Sequence, residues 1–209
     1  MSPGVFVKKL AKILGLPSKS VVVIDRALLE AELRSRGGRG RSAAKVTIAD
    51  AAMLLLAVMV MPVLIRADQV ILPWFRVKSW SLPRSAPEPF GSIFEARAPL
   101  PLIKLMERLI QTPPEAYRNL SLVLDVSADQ HIAMLYVRKG GRRCFDIGFV
   151  KYLDQGEDAG KTRPAPPAPG DMTRHAKVTH DTFHKLHRLF QPSHDPATRA
   201  PSPEAGRRT

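Results

Sequence analysis

The sequence has a single cysteine, Cys144, among 209 residues. One thiol cannot build a disulfide framework or a thiolate-rich zinc site. Acidic residues are scarce as well: 19 Asp and Glu face 32 Lys and Arg, a formal charge of +13. Such an excess points to a polyanionic partner, either nucleic acid or an anionic membrane surface. Long hydrophobic runs are missing. The longest, Ala51 to Ile65, is 15 residues and contains Pro62. A spanning helix needs about 20 apolar residues, so this run reads as a core helix. At the N-terminus, Lys8, Lys9 and Lys12 are interleaved with apolar residues, which is not the pattern of a secretory signal. We therefore expect a cytosolic, reduced protein with Cys144 buried on a strand. There is no phosphate-binding glycine loop with Lys-Ser/Thr, no G-x-S-x-G and no internal repeat. No enzymatic activity, metal or cofactor is expected.

Hydrophobic residues make up 44% of the chain, enough for a packed core. Nineteen prolines are too many for one compact unit, so part of the chain should be linker. Four regions differ in composition. Residues 1–66 are helical in pattern and strongly basic. Residues 67–97, with Trp74, Trp80 and four prolines, read as an irregular connector. In 98–153, Leu102, Leu105, Met106, Leu109 and Ile110 mark one helix face, and Pro113-Pro114 stops it. Three strands follow. Leu120 to Val126 alternates, His131 to Arg138 is next, and Lys139-Gly140-Gly141-Arg142 is a hairpin turn. Phe145, Ile147 and Phe149 share one face of the third strand. One helix on a three-stranded antiparallel meander is the expected unit, so the fold class is α+β. Residues 154–209 read as a Pro-rich linker, a short amphipathic helix at 179–190 and a tail. Isolated beyond its linker, that helix is expected to dock on a protein partner. His180, His184 and His187 border it at a spacing that suits a metal, although a polar helix border is the preferred reading.

The basic N-terminal region carries the functional pattern. Val5, Phe6, Leu10 and Ile13 give a first helix with Lys8, Lys9 and Lys12 on its other side. Gly15 can end it, Pro17 cannot continue it, and Ser18 is placed to cap a second helix running from Lys19 to about Arg34. At 100° per residue, Val21, Ile24, Leu28 and Ala31 cluster on one side. Lys19, Val22, Val23, Arg26 and Glu30 lie opposite. The β-branched run Val21 to Ile24 also suits a strand; we read it as helix. Lys19 and Arg26 can reach phosphates or guanine edges, and valines can touch thymine methyls in a major groove. Then Arg34, Arg36, Arg39, Arg41 and Lys45 surround Gly37, Gly38 and Gly40, a cationic loop suited to phosphates or a narrow minor groove. Residues 1–46 hold ten basic and three acidic side chains, a local charge of +7. Thr47 with Asp50 forms a capping pair for the apolar helix that follows. Because that helix is apolar all round, it needs cover from the 98–153 unit, a second subunit, or both.

The run AKILGLPSKSVVVIDRALLEAELRSRGGRGRSAAKVT resembles winged helix-turn-helix regulators of bacterial and prophage type. Those read as a helix, an "lGls-S" turn, a recognition helix ending "L-eagL", and a Gly/Arg wing. The resemblance covers about 35 residues. It implies sequence-specific duplex DNA binding and transcriptional regulation, with the recognition helix at Ser18 to Leu33 and the wing at Arg34 to Lys45. Two features depart from it: little chain precedes the first helix, and the wing segment lacks β-alternation. The expected DNA-binding residues are Ser18, Lys19, Ser20, Val22, Val23, Arg26, Arg34, Arg36, Arg39, Arg41 and Lys45. A homodimer associated with the nucleoid is the expected form. Two other readings compete: a membrane-associated protein using 51–65, and an adaptor for RNA or an acidic protein.

Overall fold

Helical periodicity in the N-terminal third becomes three helices: α1 (Pro3–Leu14), α2 (Ser18–Glu30) and α3 (Ile48–Val60). The computed structural model describes residues 1–34, 45–60, 67–79, 86, 88–94, 99–128, 131–151 and 175–191. The expected capping pair closes the start of α3. Thr47 donates its backbone N–H (2.9 Å) and its hydroxyl (2.7 Å) to the Asp50 carboxylate, and the Asp50 N–H donates to Thr47 Oγ1 at 3.1 Å. Such caps are worth about 1 kcal/mol. Within α3, Ala51 to Ala57 are all buried. The cover comes from α2, from α4 (Ala67–Ile71), from α6 (Leu102–Gln111) and from strands β2 (Leu120–Ser127) and β5 (His175–Thr179). Among the described residues, no helix is long and apolar enough to cross a membrane.

The region expected as irregular connector contributes more than linkage. It holds α4, a 3-10 turn (Leu72–Arg76), strand β1 (Val77–Ser79) and a short helix α5 (Phe90–Ile93). Trp74 is 1% exposed, its ring 5.4 Å from that of His131, so it is a packing residue; Trp80 lies outside the described residues. The expected three-stranded meander is present as β2, β3 (Ile132–Lys139) and β4 (Arg142–Lys151), but it is the centre of a wider sheet. The order is β1-β4-β3-β2-β5, with every neighbour antiparallel. The two edge strands are too short and too distant in sequence to register as alternation.

The sheet is one-sided. Leu122, Leu124, Val126, Ala133, Leu135, Val137, Ile147, Phe149 and Val178 are buried. The intervening Val123, Asp125, Met134, Tyr136 and Asp146 are half-exposed. Strand alternation explains this, because successive side chains point to opposite faces. It also corrects the placement of Cys144. With Phe145, Ile147 and Phe149 directed inward, Cys144 falls on the outer side and is exposed. One cluster of buried apolar side chains runs from Phe6 through α3, α6 and the sheet to Leu186.

The C-terminal helix α7 (His180–Phe190) belongs to that cluster. Phe183 and Leu186 are fully buried, and the Phe190 ring lies 6.0 Å from that of Phe6. The expectation of a tethered docking helix is thereby corrected: its apolar side is occupied within the chain. His187, read as a polar border residue, is buried. Its Nδ1 donates to the Ile110 carbonyl at 2.9 Å, and Gln191 Nε2 donates to its Nε2 at 2.7 Å. Beneath the same helix, burial pushes the Tyr117 phenol up to about 12, which keeps it a neutral donor to the Leu109 carbonyl at 3.3 Å.

The His184 ring lies tilted against Tyr117 at 5.2 Å and edge-on to His180 at 5.3 Å, and its Nε2 is buried with no hydrogen-bond partner among the described residues. Burial lowers its pKa, helped by His180 and Arg188 and opposed by Asp181 and Glu115. A histidine held below its unfolded value of about 6.5 binds fewer protons folded than unfolded. Its contribution is therefore complete above about pH 6.5 and is lost as pH falls through the folded value. Thermal midpoints recorded from pH 7.5 to 5 should decline, and less so for His184→Gln. Identical profiles for the two proteins would refute this assignment.

Candidate nucleic-acid interface

The turn between α1 and α2 follows from local chemistry. Gly15 takes φ +67°, a left-handed conformation that costs other residues most, and its N–H bonds back to Lys12. The Leu16 N–H reaches the Ala11 carbonyl at 2.9 Å, which completes a Schellman-type ending. Pro17 then flanks α2, and its carbonyl accepts from Ser20 (3.0 Å) and Val21 (3.4 Å). Ser18 is the first helical residue and makes no side-chain cap bond, so the cap expected of it is corrected.

The β-branched run is helical throughout. Its tertiary setting overrides propensity. Val21, Ile24 and Leu28 all enter the core at 5% exposure or less, a grouping that only a helical period produces. The helix stops at Glu30, earlier than expected. Glu32 adopts φ +57°, and Leu33 N–H bonds to the Leu28 carbonyl at 3.0 Å. This is the same ending as in α1, with glutamate where the resembled pattern carries glycine.

On the outward side, Lys19, Val23, Arg26 and Glu30 form one exposed stripe along α2. Val23 is 45% exposed, unusual for a valine with a core so near. Ser18 is exposed and Ser20 half-buried. Val22 is corrected to a border residue, packed against the core. On α1, Phe6, Val7, Leu10 and Ala11 are buried, while Lys8, Lys9 and Lys12 are exposed. Lys45 is exposed just before α3. Arg36, Arg39 and Arg41 fall outside the described residues.

Arg34 does not join this surface. Its side chain is 2% exposed, and its guanidinium pairs with the buried Asp25 carboxylate. Burial lowers its pKa, with Asp50 acting in the opposite direction. Arg34 therefore folds back onto α2 and pairs there with Asp25, a correction to its expected contact with DNA. The signal in the sequence was weak: at 100° per residue Asp25 falls on the border of the apolar side of α2, and only its burial in the folded chain calls for a cation nearby.

A basic cluster that sequence reasoning read only as a turn stands at the β3–β4 connection. Arg138, Lys139, Arg142 and Arg143 are all exposed there. No protein-family model, curated protein or solved structure matches the chain.

Proposed function

We propose that the chain binds duplex DNA through α2 and acts as a transcriptional regulator of prophage or mobile-element type, working as a nucleoid-associated homodimer. One observation carries this reading: Lys19, Val23 and Arg26 occupy a single outward stripe on a helix whose other side is locked into the core. A 13-residue helix is about 20 Å long, and a B-form major groove about 12 Å wide admits one. A lysine, a valine and an arginine on that face supply a phosphate contact, a methyl contact and a guanine-edge contact. Lys8, Lys9 and Lys12 add cations from the preceding helix, and the Arg/Gly segment before Lys45 adds more. Dimerisation suits a reader of palindromic sites, whose symmetry mirrors that of the protein.

Selection from random duplex DNA with the purified protein should enrich a defined sequence. Lys19→Ala with Arg26→Ala should lose about 1–3 kcal/mol of discrimination per base contact removed. Arg36→Ala, Arg39→Ala and Arg41→Ala together should weaken binding to all duplexes alike and make its salt dependence shallower. No enrichment, or a preference for RNA or for a protein over duplex DNA, would defeat the proposal.

A further inference from the structure

The β3–β4 hairpin ends in the sequence Arg138-Lys139-Gly140-Gly141-Arg142-Arg143. Gly140 and Gly141 have φ of +54° and +79°, and Lys139 stands opposite Arg142. Two positive φ values in a two-residue loop define a tight turn whose twist matches that of the strands, so the tip is well specified. Next along the ladder, Arg138 stands opposite Arg143. Beyond it the register skips Cys144, because Val137 already pairs with Phe145. Such a bulge bends the strand and re-aims its side chains.

Two successive cross-strand pairs are therefore cation against cation. Like charges directly opposite one another destabilise a sheet, so stability does not account for them. Arg143 is held by Asp146. Among the described residues, no carboxylate pairs with Arg138, Lys139 or Arg142. Three exposed cations are thus concentrated at a tight two-glycine turn at a cost to the fold, and an external polyanion would offset that cost.

We propose that this tip is a second nucleic-acid contact, in which Arg138, Lys139 and Arg142 grip backbone phosphates. The inference does not depend on the role of α2. The composition of the tip selects among polyanions. An amphipathic element that inserts into a membrane surface presents tryptophan, phenylalanine or leucine beside its cations. A protein interface needs a buried aromatic or aliphatic anchor. Residues 138–143 contain neither, only four cations and two glycines. Phosphates, by contrast, are bound by charge and hydrogen-bond donors alone.

The test uses the full chain with Arg138, Lys139 and Arg142 all changed to Gln and Arg143 retained. Probes are a labelled mixed-sequence duplex of about 20 base pairs, a single strand of equal length, and vesicles containing phosphatidylserine, from 50 to 200 mM salt. Affinity for the duplex should fall roughly tenfold or more at the lowest salt, and its salt slope should flatten by about 2–3. The thermal midpoint should stay level or rise, because the opposed cations are relieved. Equal loss on the single strand identifies phosphates irrespective of helix form; loss on the duplex alone adds a requirement for its geometry.

The lone exposed Cys144 supplies a local readout. Saturating duplex should slow its alkylation in the parent protein, and also in Lys19→Ala/Arg26→Ala once the concentration is raised to saturation. Unchanged affinity and slope in the triple variant overturns the proposal, as does loss of vesicle binding alone or an unprotected Cys144. If the α2 variant loses binding and the hairpin variant does not, the tip is excluded and the α2 reading survives. The converse result retains the tip and removes α2.

Discussion

Phe183→Ala is expected to lower the unfolding free energy by about 3–5 kcal/mol, and a chain ending before His175 is expected not to fold cooperatively. The side chain is fully buried, midway along the apolar side of α7. Removing the ring leaves a cavity in the core that tightly packed neighbours cannot fill. Domains of this size are stable by only about 5–15 kcal/mol, so one such loss is a large fraction of the total. The truncation goes further. It removes Val178, Phe183 and Leu186 from the core, strips β2 of its edge partner, and leaves the Ile110 carbonyl without His187. Urea titration followed by circular dichroism reports both effects. A truncated chain that retains a sharp transition would show that β5 and α7 are dispensable to the core.

Arg34→Ala should prove nearly as damaging, at about 3–5 kcal/mol, because it strands the Asp25 carboxylate in the interior. Removing the pair together is a different matter. Asp25→Leu with Arg34→Met should recover most of the loss, since well-packed apolar groups often replace a buried ion pair without cost. The double-mutant cycle separates this role from DNA contact. A folded, fully stable Arg34→Ala variant with weakened DNA binding would return Arg34 to the interface. The expected result is lowered stability, with nucleic-acid affinity per folded molecule preserved.

These two sites also show where sequence reasoning runs out. The pairing of Arg34 with Asp25 joins positions nine apart, and the same arginine stands in a run of cations that reads naturally as solvent-facing. Charge density along the chain does not tell which member of the run turns inward. That depends on a neighbouring acid already buried by helix packing. The amphipathic pattern of α7 was correct, but amphipathicity does not name the surface that receives the apolar side. A distant partner and the chain's own core look alike in one dimension. Cys144 differs, because the sequence held the signal: the alternation that directs Phe145, Ile147 and Phe149 inward puts Cys144 on the outer side.

From the residues alone came three N-terminal helices, the second expected to run on to about Arg34 where it stops at Glu30, the turn at Gly15, the Thr47–Asp50 cap, the apolar side of α2, and the central meander. All are local, set by periods of two or 3.6 and by backbone preferences a few residues long. Tertiary structure alone decided that β1 and β5 flank the meander, that α7 closes the core with α1, and that Arg34 is a strut. Each joins segments far apart in the chain or hinges on the burial of a partner, so the energies that select them arise only once the core has formed.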